Sequence, residues 1–155
     1  MSIKLRTVTD YVGKDAPSRI QKMVKVAEDL NVGVLVGLNS DGEAVVADAA
    51  TGVPAVGVVY KTSVKPWDEG ITFQNLSPVL EAGEYLQLAP CCIIRNADEL
   101  DGAAIGQPVY LGANGLLTLT KNATSGELNQ KVGVYATDDD NAVRIMLTDI
   151  GEENA

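Results

Sequence analysis

Short segments in which apolar residues alternate with polar residues or glycine recur along most of the chain. Val109 and Leu111, for example, stand two positions apart, and so do Val143 and Ile145. This period of two predicts strands with one buried face, because successive side chains of a strand point to opposite sides of the sheet. Strands are predicted at 36–38, 43–47, 56–58, 71–75, 83–89, 91–95, 109–111, 116–120, 131–137 and 141–147.

The segment 17–30 allows two interpretations. Ile20, Met23, Val24, Ala27 and Leu30 have helical spacing and follow a proline, which favours a helix. Within the same segment, residues 22–27 alternate lysine with valine, which favours a strand. We favour the strand. Two similar hairpins are described below, and residues 22–27 precede the first of them in the same way as the apolar segment 92–97 precedes the second.

Two stretches of the chain repeat one pattern. Placing 33–42 over 106–115 aligns glycines at both ends, a valine and a leucine between them, and Asp41 with Asn114. Further on, Val-Gly-Val at 56–58 matches 132–134, and the three extra residues of the second copy are assigned to the polar loop 122–130. The Asp-Gly and Asn-Gly pairs predict hairpin turns, and the glycine of Val-Gly-Val suits a close approach of two backbones.

Two such units predict an all-β fold, a small antiparallel β-barrel or sandwich built from two similar hairpin units, with an extended N-terminal arm. We divide the chain into a basic arm at 1–21, a barrel or sandwich domain at 22–148 and an acidic tail at 149–155, expected to be frayed. The chain has 155 residues, the length of one domain that folds without disulfides or metal. Val36, Leu38, Val109 and Leu111 are the predicted core positions of the hairpins.

Charge is distributed unevenly along the chain, whose formal net charge is −9. Residues 1–25 carry six basic and two acidic residues, which leaves −13 for the rest. The six basic residues are Lys4, Arg6, Lys14, Arg19, Lys22 and Lys25. Such a segment is typical of an arm that docks on an acidic surface, of a neighbouring subunit or of a separate partner, and equally of a solvated terminus. The acidic body makes nucleic acid a poor partner.

Side chains suited to catalysis are sparse. The chain has no histidine, no Gly-x-Ser-x-Gly motif and no glycine-rich phosphate loop, so we expect neither an enzyme nor a cofactor. Asp138, Asp139 and Asp140 favour a solvated turn over a calcium loop, because the spaced ligand pattern is missing. The adjacent Cys91 and Cys92 are expected to be free thiols, one of them facing inward.

Two further features bear on localisation and binding. No apolar run approaches the ~18 residues of a membrane span, and the N-terminus lacks the apolar core of a signal peptide, so we expect a protein made in a cytoplasm, with no membrane partner. Trp67, the only tryptophan, lies in a charged loop. It is interpreted either as an interface anchor or as a plug at the end of a barrel.

The pattern shared by the two copies resembles a group of small β-barrel proteins, the head decoration or capsid-cementing proteins of tailed bacteriophages. The resemblance covers residues 22–148 and rests on Gly-x-x-Val-x-Leu-x-x-(Asp/Asn)-Gly, followed in each copy by (Ala/Lys)-Val-Gly-Val. It implies a homotrimeric virion protein, made in the host cytoplasm, that binds the capsid exterior and bridges adjacent subunits of the major capsid protein. The basic residues of 1–25 and Trp67 are then candidate contacts to the capsid or between subunits.

Three alternatives stay open. The chain is also compatible with another structural component of such a particle, for example a head fibre or a part of the tail or baseplate. A carbohydrate-binding module would need several exposed aromatic residues, and aromatic residues make up only 5% of the chain. A small enzyme with carboxylates such as Asp98 and Asp101 at a subunit interface would lack any recognisable catalytic motif.

Overall fold

The computed structural model describes residues 7–9, 23–59, 79–137, 140–147 and 151–155. In these ranges the regular structure is β, apart from two short 3-10 turns at Asp98–Leu100 and Ala113–Gly115. The strands are β1 (Thr7–Thr9), β2 (Met23–Lys25), β3 (Leu30–Asn31), β4 (Leu35–Leu38), β5 (Ala44–Val46), β6 (Gly57–Val59), β7 (Val79–Leu80), β8 (Tyr85–Ala89), β9 (Cys91–Arg95), β10 (Pro108–Leu111), β11 (Leu117–Thr118), β12 (Leu128–Asn129), β13 (Lys131–Thr137), β14 (Ala142–Met146) and β15 (Glu152–Glu153). The expected all-β fold is confirmed.

The sequence repeat corresponds to two five-stranded antiparallel units with one strand order. Unit 1 consists of β2, β4, β5, β6 and β8 and has the order β2-β8-β6-β4-β5. Unit 2 consists of β9, β10, β11, β13 and β14 and has the order β9-β14-β13-β10-β11. The duplication therefore extends beyond the two hairpins to the strand before each hairpin and the strand that closes each sheet.

Backbone hydrogen bonds agree between the units at matching positions. The amide of Gly33 donates to the carbonyl of Val59 over 2.9 Å, and the amide of Gly106 donates to the carbonyl of Tyr135 over 2.8 Å. Both glycines have positive φ, which a side chain would disfavour. The repeated glycine thus marks the place where the chain turns sharply into the second strand of each unit.

The predicted hairpin turns are confirmed. Gly42 and Gly115 have φ of 77° and 71°, and Asn114 also lies in the left-handed region, at 56°. In the two turns the amide of residue 39 reaches the carbonyl of residue 43 at 2.9 Å, and that of residue 112 reaches the carbonyl of residue 116 at 2.8 Å. Asn and Gly adopt this region at little cost, which explains why the turn sequence is retained in both copies.

The sheet of unit 1 closes on itself. Its two edge strands are joined by a parallel bridge between Val26 and Ala44, and the amide of Ala27 donates to the carbonyl of Ala44 over 3.0 Å. The side chains on the inner side form one apolar cluster: Val24, Val26, Leu30, Val36, Ala44, Val59, Leu80 and Leu86. Leu30 and Leu80 belong to the short β3–β7 pair, so this pair contributes to the filling of the barrel.

Unit 2 has a different arrangement at the corresponding edge. Its strand β9 pairs with β1, with Val8 opposite Ile94, so the sheet gains a sixth strand. The inner side of unit 2 packs on the outer side of unit 1 in one apolar cluster, in which Leu35 and Val58 come from unit 1. The members from unit 2 include Cys92, Ile94, Val109, Leu111, Leu117, Val132, Tyr135, Val143 and Ile145.

A buried amide side chain joins the two units. Gln130 has no exposed surface; its Oε1 accepts a hydrogen bond from the amide of Ala55 over 2.8 Å, and its Nε2 donates to the carbonyl of Ala55 over 2.9 Å. Nearby, the amide of Ala49 donates to the carbonyl of Gly112, and the amide of Leu128 donates to the carbonyl of Ala49. The segment between β5 and β6 is therefore hydrogen-bonded to unit 2 as well as to unit 1.

Most predicted strands are confirmed, and two expectations are wrong. Segment 17–30 contributes the strand β2 in its described part, as we favoured, and the predictions at 91–95 and 131–137 coincide with β9 and β13. Leu38 is 41% exposed, because it lies at the end of β4, so it is not a core residue. The tail is not frayed over 151–155: β15 pairs with β12, and the amide of Asn154 donates to the carbonyl of Glu127.

The described residues test the other predictions only in part. Within the segment assigned to the arm, Thr7–Thr9 form β1, and the remainder of 1–21 lies outside the described residues. The strand predicted at 71–75 lies outside them as well, as do Asp138 and Asp139. The division of the chain into an arm, a domain and a tail stays a prediction.

The substitution Gln130→Leu should destabilise the protein by about 3 kcal/mol, because a buried amide and a buried carbonyl of Ala55 would both lose their partners. Chemical denaturation followed by circular dichroism measures the free energy of unfolding. The matched control is Gln107→Leu, since the Oε1 of Gln107 accepts only a local bond from Ala104 at the surface. An equal loss in both variants would contradict the role given to Gln130.

The substitution Gly133→Ala should lower the free energy of unfolding by about 2 kcal/mol or more, because a Cβ at this position would run into the backbone of Arg144 on β14. The control is Gly126→Ala, whose Cβ would enter open space and whose positive φ alone should cost about 1 kcal/mol. Thermal unfolding of both variants compares the two costs. A Gly133 variant as stable as the Gly126 variant would refute the close approach of β13 and β14.

Candidate interaction surfaces

The predicted contact residues lie almost entirely outside the described part of the chain. This applies to Lys4, Arg6, Lys14, Arg19, Lys22 and Trp67. Lys25 is described: it lies on β2 of unit 1, its side chain is 53% exposed, and its Nζ is 3.9 Å from Oε2 of Glu43. An exposed ion pair of this kind contributes little to stability. The assignment of these residues to a contact surface stays a prediction.

The described residues carry the whole net charge of the chain. They include five basic and fourteen acidic residues, which gives −9. The five basic residues are Lys25, Arg95, Lys121, Lys131 and Arg144. Because the charge is so one-sided, the positions of these few cations distinguish one surface of the protein from another.

Four carboxylates gather at one end of the barrel of unit 1, and we call them the acidic rim: Glu28, Asp29, Glu81 and Glu84. The two loops that carry them lie side by side, since the amide of Val26 donates to the carbonyl of Glu84 over 2.8 Å. Oε1 of Glu28 accepts a hydrogen bond from the amide of Val46, and Oδ1 of Asp29 accepts one from the amide of Ala82. Oε2 of Glu84 also accepts a hydrogen bond, from the amide of Glu81 over 3.2 Å, so backbone amides hold three of the four carboxylates in position.

The outer side of the sheet of unit 2 has the opposite character. Residues that pair across an antiparallel sheet share one face, and the register runs from Pro108 to Val134, then to Arg144 and to Ile93. By pairing and by alternation along the strands, six more residues lie on this face: Tyr110, Lys131, Met146, Cys91, Arg95 and Thr118. We call these ten residues the outer face; it carries three cations, and one of them, Arg95, is paired with the carboxylate of Asp140.

Part of this face is open to solvent, whereas Cys91 is buried and Ile93, Tyr110 and Val134 are half-buried. Pro108, Lys131 and Arg144 are exposed, and Met146 has 43% of its surface exposed. Ile105, which is 67% exposed and is the most exposed large apolar residue among those described, comes just before β10. Exposed apolar side chains grouped beside cations, with a polar surround, are typical of a surface that contacts another molecule.

Sequence reasoning missed the outer face, although the repeat contains a signal for it. The positions in unit 1 that match Pro108 and Val134 are Leu35 and Val58, and both are fully buried between the units. Strand alternation in unit 2 assigns Pro108, Val134 and Arg144 to the side away from the core. The signal in the sequence is Pro108 where unit 1 has Leu35; the other position is valine in both copies, and only its burial differs.

At one end of this sheet, Arg95 is held by the acidic turn that follows β13. Its Nη1 lies 2.9 Å from Oδ2 of Asp140, and the carbonyl of Asp140 accepts a hydrogen bond from the amide of Asn96. Oδ1 of Asn141 accepts a bond of 2.6 Å from the buried Tyr135 hydroxyl. In the described part of this turn the polar groups serve to connect β9, β13 and β14.

Groups suited to metal or ligand binding are few in the described part of the chain. No three His, Cys, Asp or Glu residues are placed there to hold a metal ion. A shallow groove of about 270 Å³ lies between the 49–50 loop and β10–β11. It is lined by Ala49, Ala50, Leu111, Gly112, Ala113, Thr118, Thr120, Asn122 and Glu127. Its carboxylate, on Glu127, accepts a hydrogen bond from the amide side chain of Asn122 over 2.9 Å.

Comparison with solved structures shows a likeness in fold. No protein-family model matches the chain, and no curated protein matches it. Among solved structures, the chain is similar to a chain from Mycobacterium phage Patience, with a TM-score of 0.56 and 15% sequence identity. The match covers 97% of this chain and 99% of that chain, so the two share a fold over nearly their full lengths. No helix in the described residues is long and apolar enough to cross a membrane.

Both cysteines are free, as expected, and both are buried. Cys92 belongs to the core between the units, whereas Cys91 lies opposite Met146 on β14. Alkylation by iodoacetamide should therefore be slow in the native protein and fast in denaturant, because the reagent must reach an exposed thiolate. Mass spectrometry of the variant Cys91→Ala isolates Cys92, which should be the better protected of the two. Rapid native labelling of Cys92 would contradict this packing.

Proposed function

We propose that this chain is a virion protein of a tailed bacteriophage that binds the outer surface of the capsid and stabilises the shell by bridging adjacent capsid subunits. The observation that carries the proposal is the fold shared, over nearly the whole of both chains, with a chain from Mycobacterium phage Patience. The duplicated hairpin pattern, which resembles capsid-cementing proteins, supports the same role. The major capsid protein is the proposed partner and a homotrimer the proposed oligomer.

The surface of the described residues suits a role in binding. The outer face groups apolar residues with Lys131 and Arg144, whereas the remainder of the described surface is strongly acidic. A charge of this sign disfavours attachment to the packaged nucleic acid and favours contact with protein. Many copies on one particle also repel one another weakly at their acidic outer surfaces, which opposes clumping of particles.

A capsid gains stability from such a protein through multivalent attachment. The packed genome pushes adjacent capsid subunits apart, and a protein that binds two or more of them must lose a contact before they separate. Because the second contact is intramolecular once the first has formed, several modest contacts add up to strong attachment. The basic residues of 1–25 are proposed as one such contact, and Trp67 as an apolar anchor.

We expect the purified protein to sediment with empty, expanded shells of the major capsid protein encoded with it, and to raise the temperature at which these shells fall apart. Replacement of Lys4, Arg6, Lys14, Arg19 and Lys22 by glutamine should weaken this binding about tenfold or more, since each basic residue contributes to attraction by an acidic surface. Co-sedimentation over a range of protein concentrations measures the affinity.

The control variant replaces Lys121 by glutamine, because Lys121 is an exposed cation outside the arm. Glutamine substitutions are preferable to a deletion of the arm, since a deletion would remove β1 and alter the sheet of unit 2. Electron microscopy of the particles distinguishes the capsid exterior from the tail. Binding to tails or baseplates and not to shells would refute the decoration role and favour the alternative of another structural component.

A further inference from the structure

We propose that the groove between the 49–50 loop and β10–β11 binds a lysine or arginine side chain of a partner protein. The inference rests on the proposed function for the identity of that partner, the major capsid protein. The chemistry of the groove is measured separately and without a capsid, because a small organic cation can stand for the side chain.

The groove has the size and the lining for one long side chain. Its volume of about 270 Å³ is below the roughly 300–1,000 Å³ of pockets that enclose a drug-sized ligand. Ala49 and Leu111 in its lining are buried and apolar, and Ala50, Gly112 and Ala113 are small enough to leave the groove open. The alkyl stem of a lysine or arginine can lie on such a lining while its charged end stays near water.

A single carboxylate sets the charge preference of the groove. Among the described residues that line it, Glu127 alone is charged, and Thr118, Thr120 and Asn122 add neutral polar groups. Oε2 of Glu127 accepts the hydrogen bond from Asn122 over 2.9 Å, and a carboxylate has further lone pairs with which to accept a bond from a cation. An apolar lining with a carboxylate beside it complements the two side chains that combine an alkyl stem with a positive charge.

Hydrogen bonds hold the wall that carries Glu127 in position. Nδ2 of Asn122 donates to the carbonyl of Leu128 over 3.0 Å, and Nδ2 of Asn154 donates to the carbonyl of Asn122 over 3.0 Å. The amide of Asn154 donates to the carbonyl of Glu127 over 2.8 Å. Binding to a wall that is already fixed loses less conformational entropy, so even a small groove can hold a side chain.

This wall also explains the difference in length between the two copies of the repeat. The three extra residues of the second copy were assigned to the loop 122–130, and that loop supplies both Asn122 and Glu127. The corresponding loop of the first copy lies on the other side of the groove and contributes Ala49 and Ala50. The longer loop therefore forms a polar wall opposite the small residues of the shorter one.

The first experiment is an NMR titration of the isolated, ¹⁵N-labelled protein. The probe n-propylguanidinium stands for an arginine side chain; it should shift the amide signals of Ala49 and Gly112 and bind with a dissociation constant on the order of 10 mM. The probe n-propylurea has the same shape without the charge and should bind about threefold more weakly or less. Equal binding of the two probes, or no shift at either amide, would overturn the inference.

Two substitutions separate the charge of the groove from its shape. Glu127→Gln can still accept the bond from Asn122 and should weaken binding of the cation about threefold, whereas Ala50→Leu should fill the groove and weaken binding of both probes. The controls Glu81→Gln and Ala123→Leu make the same changes at exposed positions outside the lining and should have no effect. Circular dichroism checks folding. Unchanged binding of the cation to either groove variant would refute the site.

Binding to shells of the major capsid protein tests the identity of the partner. If the capsid supplies the side chain, Glu127→Gln and Ala50→Leu should each weaken co-sedimentation about fivefold or more, and the two controls should not. Full binding of both groove variants would exclude the capsid as the occupant and leave the proposed function standing. If the wild-type protein does not bind shells, the proposed function fails together with the partner named here, and the titration still decides whether the groove takes a cationic side chain.

Discussion

The pairing of the Gln130 side chain with the backbone of Ala55 is the interaction on which the arrangement of the two units depends. The amide of glutamine presents a donor and an acceptor side by side, as a neighbouring strand does, so it satisfies both backbone groups of one residue at a place where no strand is paired with it. Without this pairing, the segment between β5 and β6 would bury polar backbone groups against unit 2. Such unpaired groups cost more than an ordinary hydrogen bond contributes.

The two units share a strand order but close differently, because a different strand lies beside the first strand of each. In unit 1 the first strand reaches β5 through Val26 and Ala44, and the sheet becomes a barrel with its own filled interior. In unit 2 the first strand pairs with β1 instead, and the inner side of the sheet is filled largely by its own side chains together with Leu35 and Val58 of unit 1. The core of unit 2 is therefore shared between the units.

Much of this architecture follows from period-two patterns and turn residues. Residues 131–137 were identifiable as a strand because alternation is a local property, and 91–95 because they form a short apolar run. Asn114-Gly115 marked a turn because few other residues tolerate positive φ. The exposure of Leu38 and the pairing of the tail with β12 were not predictable, since both depend on which distant segment lies beside them. Gln130 is a further case, because its sequence context is polar and only the approach of Ala55 buries it.

The candidate surfaces were harder to predict for the same reason. The basic residues of 1–25 stand out by composition, yet Lys25 alone among them is described, and it lies beside Glu43. The outer face is formed by residues from several strands, between 91 and 146, and no one of these strands looks unusual by itself. What distinguishes the face is a difference between two copies of one unit: Leu35 and Val58 are covered where Pro108 and Val134 are not. In a duplicated fold, positions whose burial differs between the copies separate the contacts made within the chain from those available to another molecule.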